Sequence, residues 1–128
     1  MNHIKFVKEI NAYKPIDAFI AHMSINIKDE DELFADLKSK LKFPDYFGFN
    51  WNAVWDCLRD FHWINEKGIV LVYTGLPNLE LPLLKIYLDL LINASEDWKT
   101  EEDHYLEIVF SDESRKLVEN ILTEDSHS

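Results

Sequence analysis

Gly68-Ile69-Val70-Leu71-Val72-Tyr73 is an unbroken apolar run rich in β-formers. A strand with one wet face alternates apolar and polar residues, whereas a run without alternation belongs to a strand covered on both faces, as in a parallel sheet. Thr74-Gly75-Leu76-Pro77-Asn78 ends it as a loop. Beyond that loop, residues 83 to about 94 are apolar over a helical length, 95–103 are a polar stretch, and its acid-rich part, 97–103, reads as a solvated loop. Residues 105–110 read as a further strand, and Leu117, Val118, Ile121 and Leu122 as the apolar face of a last helix.

Toward the N-terminus the pattern is less decided. Ile4, Val7 and Ile10 have helical spacing, Ile4 and Phe6 alternate like a strand, and Pro15 breaks whatever precedes it. Met23, Ile25 and Ile27 alternate with Ser24 and Asn26, which predicts a strand with one buried face. Asp29-Glu30-Asp31-Glu32 then precede Leu33, Phe34, Leu37 and Leu41 at helical spacing, with Lys38, Lys40 and Lys42 near the end. Acids at the start and bases at the end complement a helix dipole, so the acid run is a helix N-terminus and not a metal site. Pro44 stops that helix. Gly48 and Asn50 mark a tight turn, with Asn50 the N-cap of a second helix from Trp51 to about Phe61. Strands alternating with helices make an α/β chain with a parallel sheet, and right-handed crossovers put the crossover helices on a common face.

The chain has 128 residues, the size of one domain, and its 47% hydrophobic and 13% aromatic content suffices for a packed core. Thirteen Lys and Arg against 24 Asp and Glu give a net charge of −11. Such a chain repels phosphate backbones and anionic lipid, so neither nucleic acid nor a membrane is an expected partner, while a basic protein is. The same charge also serves solubility. The lone cysteine, Cys57, cannot form an internal disulfide, which suits a reducing compartment. No signal-peptide core is visible, and the longest clean apolar run is too short to span a bilayer. A soluble, cytoplasmic protein is expected.

Several chemistries find no support. Neither GxGxxG nor a Walker A sequence occurs, and the histidines sit at no ligand spacing, so no cofactor and no metal are expected. An enzyme built on Cys57 would need a nearby base. His62, five residues on, points elsewhere on a helix, so Cys57 reads as a small, inert, buried residue.

Residues 43–61 read FPDYFGFNWNAVWDCLRDF. On a helix at about 100° per residue, Trp51, Val54, Trp55, Leu58 and Phe61 share one arc, Asn52, Asp56, Arg59 and Asp60 the opposite one, and Ala53 and Cys57 the boundary. The apolar arc is ordinary core. Asp56 and Arg59 suit a plain i,i+3 surface ion pair. The aromatics ask for more: Tyr46, Phe47, Phe49, Trp51, Trp55, Phe61 and Trp63 lie within eighteen residues. One helix face cannot bury them all, so some line a partly exposed surface around Asp56. Aromatic anchors ringing a charge are what protein interfaces use.

The pattern Pro44-Asp45-Tyr46-Phe47-Gly48-x-Asn50-x-x-Ala53-x-Trp55-Asp56-Cys57-Leu58 resembles the signature of the barstar family of intracellular ribonuclease inhibitors. The resemblance spans about 23–110 of a single domain over 1–128, leaving 1–21 as an N-terminal extension, 111–122 as an added helix and 123–128 as a frayed tail. It implies a three-stranded parallel sheet packed by helices, and a non-enzymatic monomer that plugs the active site of a basic ribonuclease or nuclease toxin domain in a 1:1 complex. On that likeness Asp56 takes the place of a substrate phosphate, Tyr46, Phe47, Gly48 and Asn50 form the contact loop, and Trp55 supports it. Asn52, Arg59 and Asp60 depart from the family prototype, which has aspartate, threonine and glycine there. They imply a different cognate enzyme, or a barstar-like domain repurposed for a non-nuclease protein. An arginine at 59 would repel a basic nuclease unless it paired with Asp56 or Asp60. A further acid of the family aligns with Asp89.

Overall fold

The computed structural model describes residues 4–123. Its elements in order are β1 (Ile4–Val7), a 3-10 turn (Ile10–Ala12), β2 (Ala18–His22), α1 (Glu30–Leu41), α2 (Trp51–Leu58), β3 (Gly68–Tyr73), α3 (Leu81–Asp97), β4 (Tyr105–Ser111), a second 3-10 turn (Asp112–Ser114) and α4 (Arg115–Thr123). The strands form one parallel sheet in the order β1-β4-β3-β2. The sheet therefore has four strands, not the three that the family likeness implied. β3 lies inside it with every residue buried, as its unbroken apolar run requires. It pairs with β4 from Gly68–Tyr105 to Tyr73–Phe110 and with β2 from Ala18–Gly68 to His22–Val72.

The first half departs from expectation. Residues 4–22 hold two of the four strands, and the strand expected at 23–27 is displaced to Ala18–His22. Met23 extends the ladder by one bond, its N–H reaching the carbonyl of Val72 at 2.9 Å, after which the chain leaves the sheet. Met23 and Ile27 are buried as loop anchors while Ile25 is 38% exposed. The apolar alternation there belongs to a loop pinned at both ends.

All four helices cover one face. Leu37, Leu41, Val54, Leu58, Tyr87 and Val118 pack there on Ile69, Leu71, Ile108 and Phe110. The opposite face exposes Val70, Val72 and Val109, which Ile10, Tyr13 and Ile20 cover from the β1–β2 connection and the edge strand. That connection crosses the sheet in the opposite direction to the helical crossovers and on the opposite face, so it keeps their hand. Glu107, buried on this face, is held by Lys5 at 3.1 Å and by the hydroxyl of Tyr13, as a buried carboxylate requires.

The caps follow the sequence. Asp29 accepts the Glu32 N–H at 2.9 Å at the head of α1, and Asn50 accepts the Ala53 N–H at 2.8 Å at the head of α2. α2 ends at Leu58, short of the expected Phe61; Arg59 is its C-cap and Phe61 takes a left-handed φ of 54°. α3 runs on to Asp97, into the stretch expected as loop. In α4, Val118 and Ile121 are buried but Leu117 is 52% exposed. The tail expected to fray, from 124 onward, lies outside the described residues.

Candidate functional site

The loop before α2 rests on an aromatic stack. The Phe47 N–H reaches the carbonyl of Pro44 at 3.0 Å. The Phe47 ring is 4% exposed and meets Phe43 at 4.9 Å and Phe34 at 6.3 Å between centroids. Phe47 therefore props the loop from beneath and does not present itself to solvent. Tyr46 and Phe49 do, at 67% and 49% exposure. Gly48 leaves room for Asn50, whose Nδ2 donates to the Gly48 carbonyl at 3.1 Å; a Cβ on Gly48 would stand 3.1 Å from that nitrogen. Trp51 packs on Phe34 at 5.0 Å and its indole N–H donates to Glu30 at 3.0 Å, tying the start of α2 to that of α1.

On α2 the arcs separate as expected. Val54, Cys57 and Leu58 are buried, Trp55 is half-buried, and Asn52 and Asp56 face solvent. Among the described residues Asp56 takes part in no hydrogen bond or ion pair. It is an open carboxylate on a helix fixed by a cap and a core. Asp60, beyond the helix end, accepts the His62 N–H at 3.2 Å and lies 2.9 Å from His62 Nδ1. Partial desolvation pushes the Tyr46 phenol up, and the negative charge of the neighbouring Asp60 adds to the shift.

Arg59 does not join this face. Its Nε donates to Asp97 at 2.5 Å, its Nη2 to Glu102 at 3.4 Å, and its guanidinium lies 4.2 Å from the ring centre of Trp98. The Trp98 indole N–H in turn donates to the Leu58 carbonyl at 2.9 Å. The expected pairing of Arg59 with Asp56 or Asp60 is not formed. The end of α2 is clamped instead to the end of α3, beside a depression of about 390 Å³ lined by Arg59, Asp60, Trp98, Glu102 and Asp103. Asp97, Trp98 and Glu102 are not expected here, since residues 97–103 read as a solvated loop. A cation with unusual neighbours at 59 was the only local signal. Asp89 is not brought to the cluster by any contact; it pairs with Lys85 at 3.1 Å along α3.

Other chemistry finds little support. Cys57 is 3% exposed, and burial, followed by the charges of Asp60 and Asp56, pushes its thiol up to about 11. That is the reverse of an activated nucleophile, and the His62 ring is taken by Asp60 and Trp63. Among the described residues there is no group of three metal-ligating side chains, and no helix is long and apolar enough to cross a membrane. A wider depression of about 750 Å³ lies at the ends of β2 and β3, where Ser24, Asp36 and Lys40 bond to one another, Ser24 donating to Asp36 at 2.8 Å and Lys40 to Ser24 at 3.0 Å.

Two comparisons bear on this arrangement. A family model described as Barstar (barnase inhibitor) matches residues 19–111, most of the chain and all of the loop and α2. A protein of Bacillus subtilis (strain 168) named "Putative ribonuclease inhibitor YrdF" is 65% identical over 26 residues, a stretch that covers 20% of this chain and 29% of the relative.

Proposed function

The chain belongs to the barstar family, and from that premise we propose that it inhibits a cognate ribonuclease by occupying its active site, as the immunity partner of a ribonuclease toxin. The observation that carries this reading is the open carboxylate of Asp56, exposed and unpaired on a capped helix. A ribonuclease site is cationic because it binds phosphate, and a −11 protein is drawn to it. A carboxylate on a rigid helix needs little ordering to stand in for that phosphate. In this reading Tyr46, Asn50, Asn52 and Asp60 join Asp56 in contacting the enzyme, and the half-buried Trp55 supports it from the helix. Asp89 is a peripheral acid in this reading. The complex is 1:1 and forms in the reducing interior of the cell, where a lone buried thiol is safe.

RNA cleavage by barnase and a panel of small basic bacterial ribonucleases, titrated with the protein and with Asp56→Ala, tests this. Removing Asp56 leaves the enzyme's cations buried and unpaired, a loss of about 2–5 kcal/mol in a range drawn partly from this family's own prototype complex. Wild type should suppress at least one enzyme at 1:1 stoichiometry. Asp56→Ala should keep its melting temperature and bind about 30-fold to about 5000-fold more weakly. Full cleavage across the panel at micromolar wild type would overturn the proposal.

A further inference from the structure

Phe49 has a backbone its side chain does not favour. Its φ is 53°, in the left-handed region that glycine and asparagine enter cheaply and a bulky residue does not. The adjacent Gly48 has no positive φ. The turn thus uses glycine where Asn50 crowds the backbone and phenylalanine where the conformation favours glycine. Strain of this kind collects at binding sites when the surrounding structure over-determines it. Here the Asn50 cap and the buried Phe47 ring fix both sides of the residue.

Burial does not account for the ring. Phe49 touches Phe47 at 4.9 Å with the planes tilted by 48°, and 49% of the residue stays exposed. The rings of Phe43, Phe47 and Phe49 form a ladder from core to surface, each step 4.9 Å, and the last ring stands one residue before the cap of the helix that carries Asp56. A rigid, half-exposed aromatic at the head of the helix that carries an open charge has the form of an interface anchor.

We propose that Phe49 is a specificity-determining contact of this chain, its exposed edge entering an apolar pocket beside the cationic cleft of the partner. The inference rests on the inhibitor reading and narrows it. The target is a ribonuclease with a hydrophobic recess next to its phosphate site, and the ring selects for that recess while Asp56 supplies charge that any phosphate-binding cleft would accept. Because a preformed loop presents the ring, little side-chain freedom is lost on docking.

The test sets wild type, Phe49→Gly and Asp56→Ala side by side against whichever panel enzyme wild type inhibits, with Phe49→Asn as a second variant that also tolerates the left-handed backbone. Phe49→Gly should melt at or above the wild-type temperature, since the strain is relieved, yet bind about tenfold or more weakly, the effect of withdrawing half a phenyl ring from burial. Asp56→Ala binding weakly while both Phe49 variants bind like wild type would overturn the anchor and leave the inhibitor reading standing. A clearly lowered melting temperature in both Phe49 variants would make the ring a fold element and overturn it as well. Wild-type binding by Asp56→Ala, or no inhibition by wild type, would remove the reading on which the anchor depends.

Discussion

Replacing Arg59 by methionine tests whether that side chain is a clamp or a contact. Methionine keeps most of the stem and removes the guanidinium. The Asp97 partner is about half exposed at 49%, so this ion pair counts for at most about 1 kcal/mol. The guanidinium over Trp98 adds about 1 kcal/mol in a site where the Arg59 side chain is 20% exposed. Against these stands Nη1, buried with no partner among the described residues, whose removal returns part of the gain. The net cost is about 1 kcal/mol, which for a domain of this size lowers the melting temperature by about 3–6 °C. The effect also depends on pH in a defined direction. The backbone N–H of Lys99 and then Arg59 hold the Glu102 carboxyl below its ordinary value of 4.5. A depressed carboxyl contributes stability above that value and loses it as pH falls through the folded value. The gap between wild type and Arg59→Met should therefore narrow below about pH 4.5. Differential scanning calorimetry at pH 7 and pH 3.5 measures both. Association with the target should be no slower, because the variant is one unit more negative. A melting temperature equal to wild type, together with weakened target binding, would refute the clamp and make Arg59 a partner contact.

Cys57→Ala should keep inhibition and lose little stability, and the wild-type thiol, raised to about 11, should react with Ellman's reagent in the folded protein far more slowly than in urea; fast labelling of the folded protein would contradict this. The buried hydroxyls of Tyr73 and Tyr87 hydrogen-bond each other, so Tyr87→Phe or Tyr73→Phe alone should cost about 1–3 kcal/mol by orphaning the other, while the double variant should lie closer to wild type; additive losses in urea titrations would disprove the coupling. Target association should slow steeply with salt, since the −11 charge acts over about 8 Å at physiological ionic strength, and stopped-flow rates flat across ionic strength would rule out steering.

What could be read in the sequence depended on how many partners each segment has. β3 touches neighbours on both edges and both faces, and that environment writes itself as Gly68–Tyr73 without a polar residue except its terminal tyrosine hydroxyl. β2 is an edge strand whose residues are half-buried up to Ile20, buried at Ala21 and exposed at His22, so Ala18–His22 carries no alternation and its neighbour 23–27 carries a misleading one. β1 hides itself differently. Ile4 and Phe6 face the helices, but Lys5 between them is a partner of the buried Glu107, so a charge that looks solvent-facing belongs to the back of the sheet. That pairing spans over a hundred residues of chain, and nothing local announces it.

The site was legible as far as the helix holds. A rotation of about 100° per residue groups Asn52 with Asp56 correctly because both lie inside Trp51–Leu58. It fails for Arg59 and Asp60 because the helix has ended, and the two residues part company. Asp60 turns to His62, and Arg59 turns to the end of α3. This divergence matters for the chemistry. An arginine three residues after an aspartate on one helix would ordinarily pair with it and cancel the charge offered to a partner. Here the end of the helix, the face of Trp98 and two acids, Asp97 and Glu102, together draw the guanidinium away. The acids that read as a solvated loop thus bear on Asp56 without touching it: they engage the arginine that follows it by three residues, and among the described residues that guanidinium does not pair with Asp56.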